Sequence, residues 1–201
     1  MHLIIVSWSK FLREWDTLHL ADLEQLYEGE EDAELPGTFL QPPATVAAIA
    51  DAEKRLGIQL PPAHLELLQV TNGWPVGDPL DPGSMRLLPV EEVAWFADSC
   101  ASMLDSWAKP LEGTPEEDTG PSIDGEAEPC EFMVSHLRRT LLISSDCDGD
   151  VILLNPQRRT SHGYWEAWLL SPQLPGAARY ASLHHLLRSE RASLQGRIDA
   201  A

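Results

Sequence analysis

The chain has 201 residues, 43% of them hydrophobic, which is enough for one well-buried domain. Its formal charge is −18, from 14 Lys plus Arg against 32 Asp plus Glu, a field that repels nucleic-acid phosphates and anionic lipid surfaces and attracts basic partners. No stretch approaches the roughly 20 apolar residues of a membrane span, the opening run Met1–Val6 is too short for a signal-peptide core, and the three dispersed cysteines fit reduced thiols, so a cytoplasmic location is expected.

In chain order, Trp8, Phe11, Leu12 and Trp15 fall at i, i+3, i+4 and i+7, one face of a helix, with Leu18, Leu23 and Leu26 as a continuation after a break. Residues 28–43 read as a loop, acidic at Glu28, Glu30, Glu31, Asp32 and Glu34 and then broken by Pro36-Gly37 and Pro42-Pro43. Thr45 is a suitable N-cap for a second helix through Leu56, which Gly57 stops. Pro61 and Pro62 suit the first turn of a third helix, and Asn72-Gly73 ends it. Met85–Leu88 reads as a short strand and 90–97 as a helix. Residues 105–131, rich in Gly, Pro and acids, read as an irregular insert.

The clearest β signal follows. Thr140–Ile143 and Val151–Leu154 flank a turn holding Asp148-Gly149, a favoured hairpin dipeptide. A third strand, Tyr164–Leu170, alternates Tyr164, Glu166 and Trp168 on one face with Trp165, Ala167 and Leu169 on the other. Ser182 then caps a helix whose Leu183, Leu186, Leu187 and Leu194 share a face. Helices at both ends around consecutive, hairpin-spaced strands predict an α+β fold, a twisted, mainly antiparallel sheet flanked by N- and C-terminal helices.

The stretch Ile49-Ala50-Asp51-Ala52-Glu53-Lys54-Arg55-Leu56-Gly57-Ile58-Gln59-Leu60-Pro61-Pro62, closed by Thr71-Asn72-Gly73-Trp74, resembles the signature of the SUKH superfamily. That name covers the fungal Smi and Knr cell-wall-assembly regulators and many bacterial relatives. Four later pieces agree in order: Leu87–Asp98, Thr140–Ser145, Asp148–Pro156 with Trp165–Trp168, and Pro175–Leu183. The resemblance divides the chain into an N-terminal helical extension and acidic loop, 1–42, and a SUKH-like domain, 43–201, in a single globular unit. It implies a non-enzymatic, protein-binding role. Bacterial members are commonly immunity proteins that sit on a toxin domain, often a nuclease, and block it; a regulatory or scaffold module without a toxin is the alternative.

The residues themselves offer little chemistry. The seven His form no metal-spaced pair, and no His-Glu-x-x-His, Gly-x-Ser-x-Gly or phosphate-cradling glycine loop is present. Asp146, Asp148 and Asp150 alternate as in a calcium loop, but glycine arrives two positions early and no bidentate Glu follows, so a solvated hairpin tip is expected and no metal or cofactor. Glu166 between two tryptophans lacks the second group that general acid–base work needs, which leaves a hydrolase only a remote alternative. The candidate partner-binding residues are therefore Trp74, Trp95, Asp146, Asp148, Asp150, Glu166 and Trp168, with Glu166 and Trp168 read as an amphipathic, negatively charged strip facing a basic partner such as a nuclease toxin.

Overall fold

The structure, a computed structural model, describes residues 7–27, 36–111, 129–130, 132–174 and 176–199. Helix α1 (Trp8–Leu26) starts at Ser7, whose side chain accepts from Lys10 N, and runs without the expected break. Its interior polar residues are held by tertiary partners: Asp16 accepts from Phe39 N (2.8 Å) and Thr38 Oγ1 (2.7 Å), and His19 Nε2 meets Pro75 O at 3.2 Å. Helix α2 (Val46–Leu56) is capped by Thr45 and ends on Gly57 at φ +69°, as its sequence predicts. Helix α3 (Pro62–Leu68) carries proline in its first turn.

Two short strands, β1 (Trp74–Pro75) and β2 (Arg86–Leu87), pair antiparallel. Then come β3 (Ala94–Trp95), α4 (Phe96–Ser99), α5 (Ala101–Ala108), β4 (Pro129–Cys130), α6 (Val134–Leu137), β5 (Leu141–Leu142), β6 (Val151–Arg159), β7 (Trp165–Leu170), β8 (Ala177–Tyr180) and α7 (Leu183–Ile198). The main sheet has six strands in the order β3-β5-β6-β7-β8-β4, every pairing antiparallel. The fold is α+β.

Two further sequence expectations need correcting. The helix read over 90–97 starts only at Phe96, because Val90–Val93 is a turn and Ala94–Trp95 pairs with β5. The backbone groups a helix would use are taken elsewhere: Val90 N donates to Asn72 Oδ1 (2.8 Å), and Arg55 donates to the carbonyls of Val93 (2.7 Å), Glu91 (3.1 Å) and Val90 (3.4 Å). The insert expected from residue 105 begins later, since α5 continues to Ala108 and buries Leu104 and Ala108. Most of that insert, and the acidic run 28–34, lies outside the described residues.

Both faces of the sheet are covered. On one face Leu141, Ile143, Ile152, Leu154, Trp165 and Ala167 pack with Leu12 and Trp15 of α1, Leu67 and Leu68 of α3, and Leu183, Leu186 and Leu187 of α7. On the other, Leu142, Val151, Leu153, Trp168 and Leu170 pack with Phe96, Leu104, Phe132 and Leu137, which belong to or flank α4, α5 and α6. The sheet is therefore a middle layer, and strand positions of either parity point into core.

Candidate functional site

Glu166 and Trp168 share one face of β7, as alternation requires, but that face is interior. Trp168 is 0% exposed and Glu166 8%. Glu166 Oε1 accepts from Arg179 Nε and Nη2, both at 2.9 Å, while Oε2 accepts from Trp168 Nε1 (2.8 Å) and Asn155 Nδ2 (3.1 Å). Arg158 Nε stands 3.9 Å from Oε1. The Arg179 guanidinium also lies over the Trp168 ring, 5.4 Å from its centroid, and Phe132 tilts against that ring at 5.6 Å. The strip read from the sequence as a recognition face is thus a buried ion pair. Its charge-assisted and indole bonds fill the acceptor capacity of the carboxylate, which has nothing left to offer a partner or a substrate.

Trp74 is also core. It is 2% exposed and meets Trp15 edge-on at 5.7 Å, with His19 at 5.9 Å. Trp95 is half-buried on β3, and its Nε1 donates to Leu56 O (3.2 Å), satisfying a carbonyl at the end of α2. Neither indole is presented as a free aromatic anchor.

The signature residues build a clasp. Glu53 Oε1 accepts from Leu60 N (2.9 Å), tying the end of α2 to the segment that enters α3. Thr71 Oγ1 donates to Gly73 O (2.6 Å) and accepts from Gln41 N (3.0 Å). Asn72 Nδ2 donates to Glu91 Oε2 (2.9 Å), while its Oδ1 holds Val90 N. With Arg55 on the 90–93 carbonyls, these side chains substitute for regular structure in three adjoining loops.

Of the sequence candidates, those that remain exposed stand on the turn between β5 and β6. Asp146 and Asp148 are exposed and Asp150 is half-buried. Asp148 sits at φ +52° and Gly149 at φ +92°, the conformation a primed hairpin turn demands. Cys147 and Asp150 exchange backbone bonds of 3.1 and 2.8 Å, and Asp146 Oδ1 accepts from Gly149 N at 2.7 Å. The 78–84 loop lies alongside: Ser145 N donates to Arg86 O (2.8 Å) and Arg86 N to Ser145 Oγ (3.0 Å), and the Arg86 guanidinium donates to Pro82 O. Burial, then Asp148, Asp150 and Asp81, push the Cys147 thiol above its ordinary range. Burial and then Asp150 also raise Glu190 on α7, against the pull of Arg197. Asp81 of the loop thereby joins the acidic end and was not a sequence candidate; the Asp78-Pro79-Leu80-Asp81 spacing was the available signal.

Among the described residues, no group of three His, Cys, Asp or Glu is placed to hold a metal ion, and no helix is long and apolar enough to cross a membrane. None of the curated proteins matches the chain. The family model described as SMI1 / KNR4 family (SUKH-1) matches residues 43–184, which span the clasp, the whole six-stranded sheet and the entry to α7. The chain belongs to the SMI1 / KNR4 family (SUKH-1).

Proposed function

We propose that this protein acts by binding another protein, as an immunity-type inhibitor that occludes a basic partner domain such as a nuclease toxin, and that the acidic end around Asp146 and Asp148 makes first contact. The family match over 43–184 carries the reading, because membership supports a protein-interaction role. The structure adds support of a second kind. Two exposed carboxylates stand on a hydrogen-bonded hairpin turn, in a chain of charge −18, with Asp81 nearby. Such a projection steers lysines and arginines, including those a nuclease uses on phosphates, toward one end of the molecule. Glu166, Trp168 and Trp74 have no part in this contact; they hold the scaffold behind it.

The test is affinity capture with the native chain and with Asp146→Lys/Asp148→Lys, followed by association kinetics on any partner retained. The reading expects association to slow by about tenfold or more at low salt in the doubly reversed variant. A partner that binds both proteins at the same rate would remove the turn from the interface. A captured partner whose contact face is acidic would remove the reading altogether.

A further inference from the structure

The arginines of this acidic chain are not spread evenly. Segments 136–139 and 155–166 hold four of them, Arg138, Arg139, Arg158 and Arg159, against a single acid, Glu166, which is buried against Arg179. The two segments meet in space: Gln157 Nε2 donates to His136 O at 3.2 Å, and Arg139 N donates to the same carbonyl at 2.8 Å. Arg138 and Arg139 are exposed, and neither side chain makes a hydrogen bond or ion pair among the described residues. Arg159 is exposed as well. Its Nε donates to Pro156 O (2.9 Å), and its guanidinium lies 5.2 Å over the Trp165 ring, which fixes the plane it presents. Strand β6 separates this end from the acidic turn: Arg159 at its far end stands roughly 25 Å away, and Arg138 and Arg139, just before the Leu141–Leu154 pairing, roughly 15–20 Å.

We propose that this basic end is a second docking surface, one that takes an acidic polypeptide segment. Guanidiniums on a short strip match carboxylates in a fork geometry, and two of these are uncommitted. The chain's net charge selects among anions. An extended polyanion such as a nucleic acid must run past the acidic remainder of the molecule, whereas a short acidic segment meets only this end, beyond the reach of the opposite turn once salt screens charges within about 8 Å. The inference does not depend on the role given to the acidic turn. With it, the protein becomes two-ended, able to hold a basic and an acidic partner at once.

Fluorescence anisotropy on the full chain tests this, with a labelled peptide of alternating glutamate and serine as the probe. A lysine–serine peptide and a single-stranded oligonucleotide of equal length serve as comparators. The glutamate peptide should bind, and Arg138→Glu/Arg139→Glu should weaken it by about tenfold or more, with the milder Arg138→Gln/Arg139→Gln in between. Asp146→Asn/Asp148→Asn should leave that affinity within about twofold, given the separation of the two ends. Neither arginine side chain bonds to the fold, so circular dichroism should be unchanged in these variants. Failure of the glutamate peptide to bind, or binding that survives the reversal, would overturn the proposal. So would an oligonucleotide that binds as tightly as the peptide.

Discussion

Asp148 and Glu166 are acids on neighbouring parts of one antiparallel ladder, and the molecule uses them in opposite ways. Asp148 stands on the β5–β6 turn in solvent, held there by a positive φ and by Gly149 beside it. Glu166 lies two strands in, with Arg179, Trp168 and Asn155 on its two oxygens. The difference is one of layers. An antiparallel sheet often keeps one face wet, and alternation then separates core from surface. Here α4, α5 and α6 cover the second face, so alternation separates two interiors, and exposure is confined to turns and strand ends.

The largest expected effect breaks the interior half of that contrast. Glu166→Ala removes the buried carboxylate that meets Arg179 Nε and Nη2 at 2.9 Å and should cost about 3–5 kcal/mol. Asn155 and the Trp168 indole lose an acceptor at the same time. Urea unfolding followed by tryptophan fluorescence measures it. A variant as stable as the native protein would mean that the ion pair contributes nothing net.

A buried histidine gives the interior a pH dependence of its own. Burial lowers His64 from its ordinary 6.5 to about 4. The folded state therefore refuses a proton that the unfolded chain accepts. The associated stability is whole above pH 6.5 and is lost as pH falls toward 4, by about 3 kcal/mol at the lower limit. His184, lowered to about 4 by burial and then by His185 and Arg188, and His19, lowered by burial, act in the same direction where α1 meets α7 and β1. Melting temperatures measured from about pH 7.5 to 4.5 should fall more steeply for the native chain than for His64→Leu, which has no proton to take up at that site. Parallel curves would show that His64 is not the proton-linked group.

Much of the fold was legible in the sequence because its signals are local. Thr45 and Gly57 bound α2, the paired prolines open α3, Asp148-Gly149 makes the turn, and the leucines of α7 are all buried as their spacing requires. Each works through its own backbone or one helical face. The misreadings have a common cause, which is satisfaction at a distance. Nothing near Val90–Val93 announces that Arg55 and Asn72 will take its backbone groups. Nothing near Trp168 announces that Phe132, itself backed by Trp107, will close over it. The signature residues follow the same pattern, since Glu53, Arg55, Asn72 and Gly73 identify the family through tertiary bonds that hold loops. A family signature here marks scaffold, while the candidate contact residues lie on a turn whose sequence says only that it is tight and acidic.

Between these extremes lies Gly149, where turn and interior meet. Its φ of +92° is costly for any residue with a Cβ, and a Cβ built there would come within 3.1 Å of Pro172 Cγ. Gly149→Ala should therefore cost about 1–2 kcal/mol, more than any change to the exposed acids, and should loosen the turn that presents them. Thermal melts read the first effect, and amide hydrogen exchange at residues 147–150 the second.

The smallest expected effect on stability is also the sharpest test of the contrast. Asp146→Asn with Asp148→Asn removes two charges but keeps the shapes, and an amide oxygen at position 146 can still accept from Gly149 N as the Asp146 carboxylate does at 2.7 Å. Stability should stay within about 0.5 kcal/mol of native. Binding to a basic partner should nevertheless slow at low salt and converge with the native rate as ionic strength rises, because an exposed charge acts through screened attraction during approach. The two measurements together discriminate. A loss of stability comparable to Glu166→Ala would make the turn structural, and a salt-independent loss of binding would mean that the acids act by direct contact in the final complex instead of by steering.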